Sequence, residues 1–161
     1  MEKTYIGVIG GSSCNSEIAV IACSLGRLIA EHGWVLVCGG MGGVMEAACK
    51  GAYEAGGVTL GILPGYDRTE GNAYLTYSVV TALGHARNLI VAQSSTALVA
   101  VGGSFGTLSE ISFANILGKP LVGLKSWRAA SRGGSTVDPS LLFRAEVETA
   151  EQAIAALKGY L

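Results

Sequence analysis

Hydrophobic residues along this chain gather into short unbroken runs that end in glycine: TYIGVIGG at 4–11, WVLVCGG at 34–40, VTLGILPG at 58–65 and ALVAVGG at 97–103. Continuous Val, Ile and Leu, rather than in-out alternation, is the pattern of strands covered on both faces, as in a parallel sheet. PLVGLKSW at 120–127 reads the same way, and LTYSVVT at 75–81 predicts a further strand. Between the first two runs, Ile18, Ile21, Ala22, Leu25, Leu28 and Ile29 recur at spacings of three and four, predicting an amphipathic helix that ends near Gly33. Val44 to Ala55 repeats that pattern before Gly56-Gly57, and another helix is expected from about Leu83 to Ser94. Near the C-terminus Thr149 and Gln152 have the spacing of a capping box, followed by Ala153, Ile154, Leu157 and Leu161 on one helical face.

Strand and helix patterns that alternate in this way imply right-handed crossovers. The expected fold is α/β: a Rossmann-like, doubly wound, mainly parallel sheet with helices on both faces. Residues 66–76, with Asp67, Arg68, Glu70, Gly71 and Asn72, form a polar interruption that reads as an excursion from the sheet edge, placed where it can line a ligand site. The stretch 128–139 is rich in Ser, Gly and Arg, contains Gly133-Gly134, and is expected to be a mobile loop. No internal repeat or low-complexity linker divides the 161 residues, so the expectation is one ligand-binding domain over 1–161.

Composition adds constraints. Half of the residues are hydrophobic and 14% are charged, which calls for a large core or for burial against further copies, so a homodimer or higher homo-oligomer is expected. A formal charge of −1 offers no general electrostatic footprint for a nucleic-acid backbone or an anionic membrane; neither is expected as a partner. Cys14, Cys23, Cys38 and Cys49 form no C-x-x-C pair and lie near no His cluster, so no metal site is expected and the thiols read as reduced. The start of the chain lacks the features of a signal peptide and no apolar run approaches the roughly 20 residues that span a bilayer, which points to the cytoplasm.

The candidate chemistry lies in the glycine clusters that follow the strands, because ligands of open α/β sheets bind beyond the carboxyl ends of strands, where loops meet helix N-termini. Gly10-Gly11-Ser12-Ser13, Gly39-Gly40-Met41-Gly42-Gly43 and Gly102-Gly103-Ser104-Phe105-Gly106-Thr107 all lie at such ends. Glycine lets a phosphate approach backbone N–H groups closely, and the helix that follows adds unpaired N–H groups and the positive end of its dipole. Ser12, Ser104 and Thr107 supply hydroxyls. The 102–107 loop combines most of these features; glycine turns at the other two also serve strand-to-helix connections without a ligand. Neither standard nucleotide fingerprint is met: G-x-x-x-x-G-K-[ST] is absent, strand one has G-x-x-G-G-S, and Cys38 leads into Gly39 where a ribose-gripping acid would stand.

Two charged residues flank these loops. Glu110 falls one turn into the helix after Thr107 on an otherwise apolar face, and Arg87, followed by Asn88, opens the preceding helix. Either they bind and work on a ligand, Arg87 on a phosphate and Glu110 on a hydroxyl or water, or they form a structural ion pair. Glu46 can bind a hydroxyl or cap its own helix. His85 suits capping or solvation better than proton transfer, and Cys14 has no accompanying base.

The string VGGSFGTLSE at 101–110, with Arg87-Asn88 upstream and Gly39-Gly40 and Gly42-Gly43 before it, resembles the LOG-like, so-called lysine decarboxylase-like, Rossmann superfamily over nearly the whole chain. Its motif is PGGxGTxxE, and it includes cytokinin-activating phosphoribohydrolases, relatives of the DNA-processing protein DprA and molybdenum cofactor carrier proteins. The resemblance implies a usually dimeric protein in which Gly102, Gly103, Gly106 and Thr107 hold a phosphate, while Arg87 and Glu110 act at a glycosidic bond if the protein is a hydrolase. Val101 stands where the hydrolases have proline, and Gly84-His85-Ala86-Arg87-Asn88 differs from their MHxRK segment. The Ala86-Arg87-Asn88 form, the bare Gly103-Ser104 variant and the short chain look more like the molybdenum cofactor carrier-like, DprA-related branch. The resemblance therefore implies a binding protein for a phosphorylated nucleotide- or pterin-like molecule, with molybdenum cofactor or a nucleoside monophosphate as ligand and no cofactor required; the alternative is a nucleoside 5′-monophosphate phosphoribohydrolase. An amine decarboxylase would need a pyridoxal-binding lysine with supporting partners, and none is expected at the strand ends.

Overall fold

The computed structural model of the chain describes residues 3–126 and 142–161; the loop expected at 128–139, with Gly133-Gly134, and Trp127 at the end of the fifth apolar run lie outside them. Each apolar run found in the sequence forms a strand: β1 (Tyr5–Gly10), β2 (Val35–Cys38), β3 (Val58–Leu63), β4 (Tyr77–Val80), β5 (Ala97–Val101) and β6 (Leu121–Leu124). β7 (Ala145–Val147) has no counterpart among the expected strands, because three residues with Glu146 at their centre carry no apolar run. The seven strands form one sheet in the order β4-β3-β2-β1-β5-β6-β7. All six pairings are parallel, with Ile6 lying between Leu36 and Ala97. Chain order runs outward in one direction from β1 to β4 and in the other from β5 to β7. The reversal between β1 and β5 opens the crevice in which doubly wound folds hold ligands.

Helices α1 (Ser16–Glu31), α2 (Val44–Glu54) and α5 (Ala150–Lys158) cover one face of the sheet; α3 (Asn88–Ser94) and α4 (Phe105–Ile116) cover the other. The pleat of β5 shows both cores at once: Ala97, Val99 and Val101 point into the first, Leu98 and Ala100 into the second. α1 and α2 meet almost backbone to backbone. A Cβ at Gly26 would collide with the Ala48 carbonyl, and one at Gly51 with the Cys23 carbonyl, so hydrogen replaces a side chain at both crossing points. The cysteines are free; Cys38 and Cys49 are buried with their Sγ atoms 3.4 Å apart. α5 is capped as its sequence predicts, Gln152 N–H donating to the Thr149 hydroxyl at 3.3 Å and Thr149 N–H to the Gln152 side chain at 3.3 Å.

Two connections differ from expectation. The helix expected from Leu83 begins instead as a 3-10 turn over Gly84–Arg87, and the α-helix starts at Asn88, because Ala82 and Gly84 take positive φ values of 56° and 55° that no helix continues through. The segment after β3 crosses to β4 without an α-helix, making only a 3-10 turn over Arg68–Glu70 capped by the Asp67 carboxylate, which accepts from Thr69 N–H at 2.8 Å. Asn72 then fastens this crossover to the loop after β2, its side-chain amide donating to the carbonyls of Gly40 (3.2 Å) and Met41 (3.0 Å). No helix among the described residues is long and apolar enough to cross a membrane.

Candidate functional site

A cleft of about 330 Å³ opens over the carboxyl ends of β1 and β5, lined by Gly10, Ser12, Met45, His85, Arg87, Asn88, Ser104, Phe105, Gly106 and Glu110. Seven of these carry the sequence expectation: Gly10, Ser12, Arg87, Asn88, Ser104, Gly106 and Glu110. The topological switch brings them together, since β1 delivers Gly10 and Ser12, the β4–β5 crossover delivers Arg87 and Asn88, and the β5–α4 turn delivers the rest. Met45, His85 and Phe105 complete the lining. Met45 reads as an ordinary core position of α2; Phe105 is 86% exposed at the first turn of α4, where only its place within the 102–107 loop signals it.

The remaining glycines act behind the cleft. Val44 N–H donates to the Gly11 carbonyl at 3.0 Å, and Gly43, with φ 64°, lies so close to Gly11 and Ser12 that a Cβ would strike their backbone. Gly42 and Gly40 likewise belong to the contact of this turn with the first loop and with β3 and Leu75. Gly39 has a specific neighbour: the space a Cβ would take is filled by the Arg87 guanidinium. Gly102 takes φ 58° to turn the chain out of β5, and its carbonyl accepts from the Ser126 hydroxyl at 2.7 Å; Gly103 lies beside Lys125 and Ser126 in a neighbouring open depression rather than in the cleft. Thr107 is buried and faces inward, its hydroxyl accepting from Ser104 N–H at 3.2 Å and lying 3.3 Å from the Ser104 hydroxyl, a local cap at the start of α4. Glu46 is exposed at the start of α2, Cys14 is exposed, and neither lines the cleft.

The charged pair is the unusual part. Arg87 is only 8% exposed and Glu110 5%. Among the described residues no ion pair within 4 Å joins them, and the buried Nε and Nη1 of Arg87 have no hydrogen-bond partner. A buried guanidinium with unmet donors is costly, because each has lost water and found nothing in exchange. Burial draws the Arg87 pKa below its ordinary value, against the pull of the nearby Glu110 carboxyl. Burial likewise pushes Glu110 up to about 8, with the charge of Arg87 opposing. Near neutral pH the cleft therefore holds a cation beside a mostly protonated acid, which leaves it a net taker of negative charge. Asn88 sets the spacing between the elements involved: its side-chain amide donates to the Ser109 hydroxyl at 2.8 Å, and Ser109 donates to the Gly106 carbonyl at 2.7 Å, so α3 and the first turn of α4 are tied together beside the cleft. Such an arrangement can seat an anion on Arg87 and on the free N–H groups of the first turn of α4.

The sequence matches the model of the SLOG cluster4 family over residues 3–156. An uncharacterised protein of Archaeoglobus fulgidus is 47% identical over 125 residues, 78% of this chain and 82% of that protein. Among solved structures, the molybdenum cofactor binding protein of the phototrophic bacterium Rippkaea orientalis superposes with a TM-score of 0.86 at 34% identity, covering 99% of this chain and 98% of that one. The molybdenum cofactor carrier protein of Chlamydomonas reinhardtii does so with a TM-score of 0.84 at 38% identity, covering 98% of each.

Proposed function

The chain belongs to the SLOG cluster4 family, and from that membership and the cleft together we propose that it binds a small phosphorylated molecule of the molybdenum cofactor type, as a carrier. The observation that supports this most directly is Arg87, a nearly buried cation in the lining of the cleft that no carboxylate within 4 Å pairs among the described residues. The donor set suits the phosphate end of such a ligand, since Arg87 and the first turn of α4 at Phe105 and Gly106 line the cleft together with Gly10, Ser12 and Ser104. His85, Met45 and Phe105 offer a mixed polar and apolar wall for a flat ring system. The apolar composition supports a chain that works as a homo-oligomer.

Hydrolysis of a nucleoside 5′-monophosphate is the second reading, supported by the same pairing of Arg87 with Glu110 beside one cleft. It asks Glu110 to stand as an anion next to a sugar that turns cationic in the transition state. A carboxyl held up to about 8 is largely neutral at pH 7, which suits a hydrogen-bond donor to a ligand better than a stabiliser of positive charge. Carrier binding is preferred because the Rippkaea orientalis and Chlamydomonas reinhardtii structures, which nearly the whole chain matches, are those of a molybdenum cofactor binding protein and a molybdenum cofactor carrier protein. The test is anaerobic gel filtration of the chain with molybdenum cofactor, followed by fluorescence of the oxidised pterin in the protein peak. One equivalent per chain with the wild type and at least a tenfold loss with Arg87→Ala is the expected result; equal retention by both, or release of free base from a panel of nucleoside monophosphates, would sink the carrier reading.

A further inference from the structure

Of the four free cysteines, two face each other in the core: Cys38 ends β2, Cys49 lies in the second turn of α2, and their Sγ atoms are 3.4 Å apart. Both belong to elements that build the cleft. Met45, one turn before Cys49 on the same face of α2, lines it, and Gly39, next to Cys38, leaves its side-chain space to Arg87. The two sulfurs are not equivalent. Gly40 N–H donates to Cys38 Sγ at 3.3 Å, so Cys38 already acts as an acceptor and the Cys49 thiol is the natural donor in the contact between them. The hydrogen bond from Cys49 outweighs burial and, helped by Gly40 and by the charge of Arg87, draws the Cys38 thiol below its ordinary pKa; the same bond, together with burial, pushes Cys49 up. A sulfur that collects two donors near a cation is the nucleophile of a pair, and a neighbouring thiol that keeps its proton is the one that resolves it.

We propose that Cys38 and Cys49 are a peroxide-sensitive dithiol that closes to a disulfide beside the ligand cleft. Both thiols are buried, so the oxidant has to be small and uncharged, which selects hydrogen peroxide over a bulky, charged disulfide such as oxidised glutathione. The Cys38 sulfur attacks one peroxide oxygen, the O–O bond breaks, the other oxygen leaves as water with the Cys38 proton, and Cys38 becomes a sulfenic acid. The Cys49 sulfur then attacks Cys38 Sγ; the S–S bond forms as the S–O bond breaks, and the hydroxide leaves as a second water with the Cys49 proton. The thiols have given two electrons and two protons to the peroxide, and the sulfurs have closed from 3.4 Å to about 2.05 Å. The bond joins α2 to β2 next to the turn that houses Arg87. An anion in the cleft offsets the charge of Arg87 at Cys38 and so slows the first step. That coupling rests on the cleft being an anion site, whereas the disulfide itself does not.

The measurement is made on the full wild-type chain, treated in native buffer with hydrogen peroxide, freed of it with catalase, unfolded in guanidinium with N-ethylmaleimide and read by peptide mapping. A linked pair of peptides carrying Cys38 and Cys49, lighter by two hydrogens and separated by dithiothreitol, is the expected result. The chain with Cys14→Ser and Cys23→Ser, which keeps only the pair, gives the rate from intact mass. Adding Arg87→Ala is expected to slow closure by roughly threefold to tenfold, as loss of a charge near the thiol lowers its thiolate fraction. Sulfate is expected to slow closure where Arg87 is present and to do nothing where it is absent. Cys38 and Cys49 that both still take up maleimide after peroxide overturn the proposal; so does a sulfinic acid on Cys38 with no link, or a link that forms only when urea unfolds the chain. Closure by oxidised glutathione as fast as by peroxide overturns the choice of oxidant. A disulfide that Arg87→Ala slows and sulfate does not overturns the anion on Arg87, and with it the carrier reading, but leaves the dithiol standing.

Discussion

At the scale of single residues, the site turns on one exchange of space: Gly39 gives up its side chain and Arg87 occupies the room. Gly39→Ala should therefore act like a substitution of Arg87, displacing the guanidinium and weakening sulfate binding at least tenfold in calorimetry. Adding Arg87→Ala to it should cost little more, because both changes remove the same contact; additive losses would show that Gly39 has another role. Glu110 makes a second prediction. Its pKa in the folded chain is about 8 against an ordinary 4.5, so between those values the folded state binds more protons than the unfolded one. Stability then declines as pH rises from 4.5 to 8 and levels off above, by at most ~1.4 kcal/mol per pH unit. Glu110→Gln should flatten that slope in urea titrations at pH 5, 7 and 9 and leave the variant more stable than the wild type at pH 9. A wild-type slope of zero over this range would mean that Glu110 titrates normally. Both residues were legible in the sequence as charges placed near glycine loops. What could not be read there is that they stand apart, unpaired, since sequence spacing says nothing of the distance between two helix starts.

At the scale of elements, glycine spacing carried two meanings that only packing separates. Gly26 and Gly51 sit in the interior of α1 and α2, where propensity alone would count against them. The backbone crossing of the helices explains both, and Gly51→Ala should destabilise the fold by roughly 1–3 kcal/mol through overpacking. Gly56→Ala is the matched comparison: nothing lies within 4 Å, but φ is 74°, so its cost of about 1 kcal/mol comes from the left-handed backbone. Guanidinium titrations of both variants should rank Gly51→Ala as the more damaging. The long apolar strands were legible from their unbroken runs, α1 and α2 from their spacing, and α5 from its spacing and capping box. β7 escaped because an edge strand of three residues needs no apolar run; the late start of α3 escaped because the positive φ of Ala82 is dictated by the return of the chain from β4 and not by alanine itself. Nor does the Gly39–Gly43 turn announce that it supports Arg87 and the first loop rather than the cleft.

At the scale of the whole molecule, alternation of strands and helices predicts a doubly wound sheet, but not where its direction reverses, and the reversal is what assembles the site. The cleft draws on β1, on the crossover before β5 and on the turn after it, so a bound anion bridges the two halves of the sheet and must couple to global unfolding. A ligand that binds only the folded chain raises its stability by RT ln(1 + [L]/Kd), about 2.7 kcal/mol at a hundredfold excess over Kd. Sulfate is the informative probe, because its charge is constant over the range in which Glu110 titrates. An anion on Arg87 disfavours the ionised form of Glu110, so binding keeps the proton there and should weaken as pH climbs through about 8, by up to tenfold per unit. Sulfate also stabilises proteins in general by exclusion from their surface, which Arg87→Ala must share. The expected result is a sulfate-dependent rise in Tm that exceeds that of Arg87→Ala at pH 6.5 and converges on it at pH 9.5. If instead the excess is the same at both pH values, the anion and Glu110 are not coupled, and the protonated acid does not belong to the anion site.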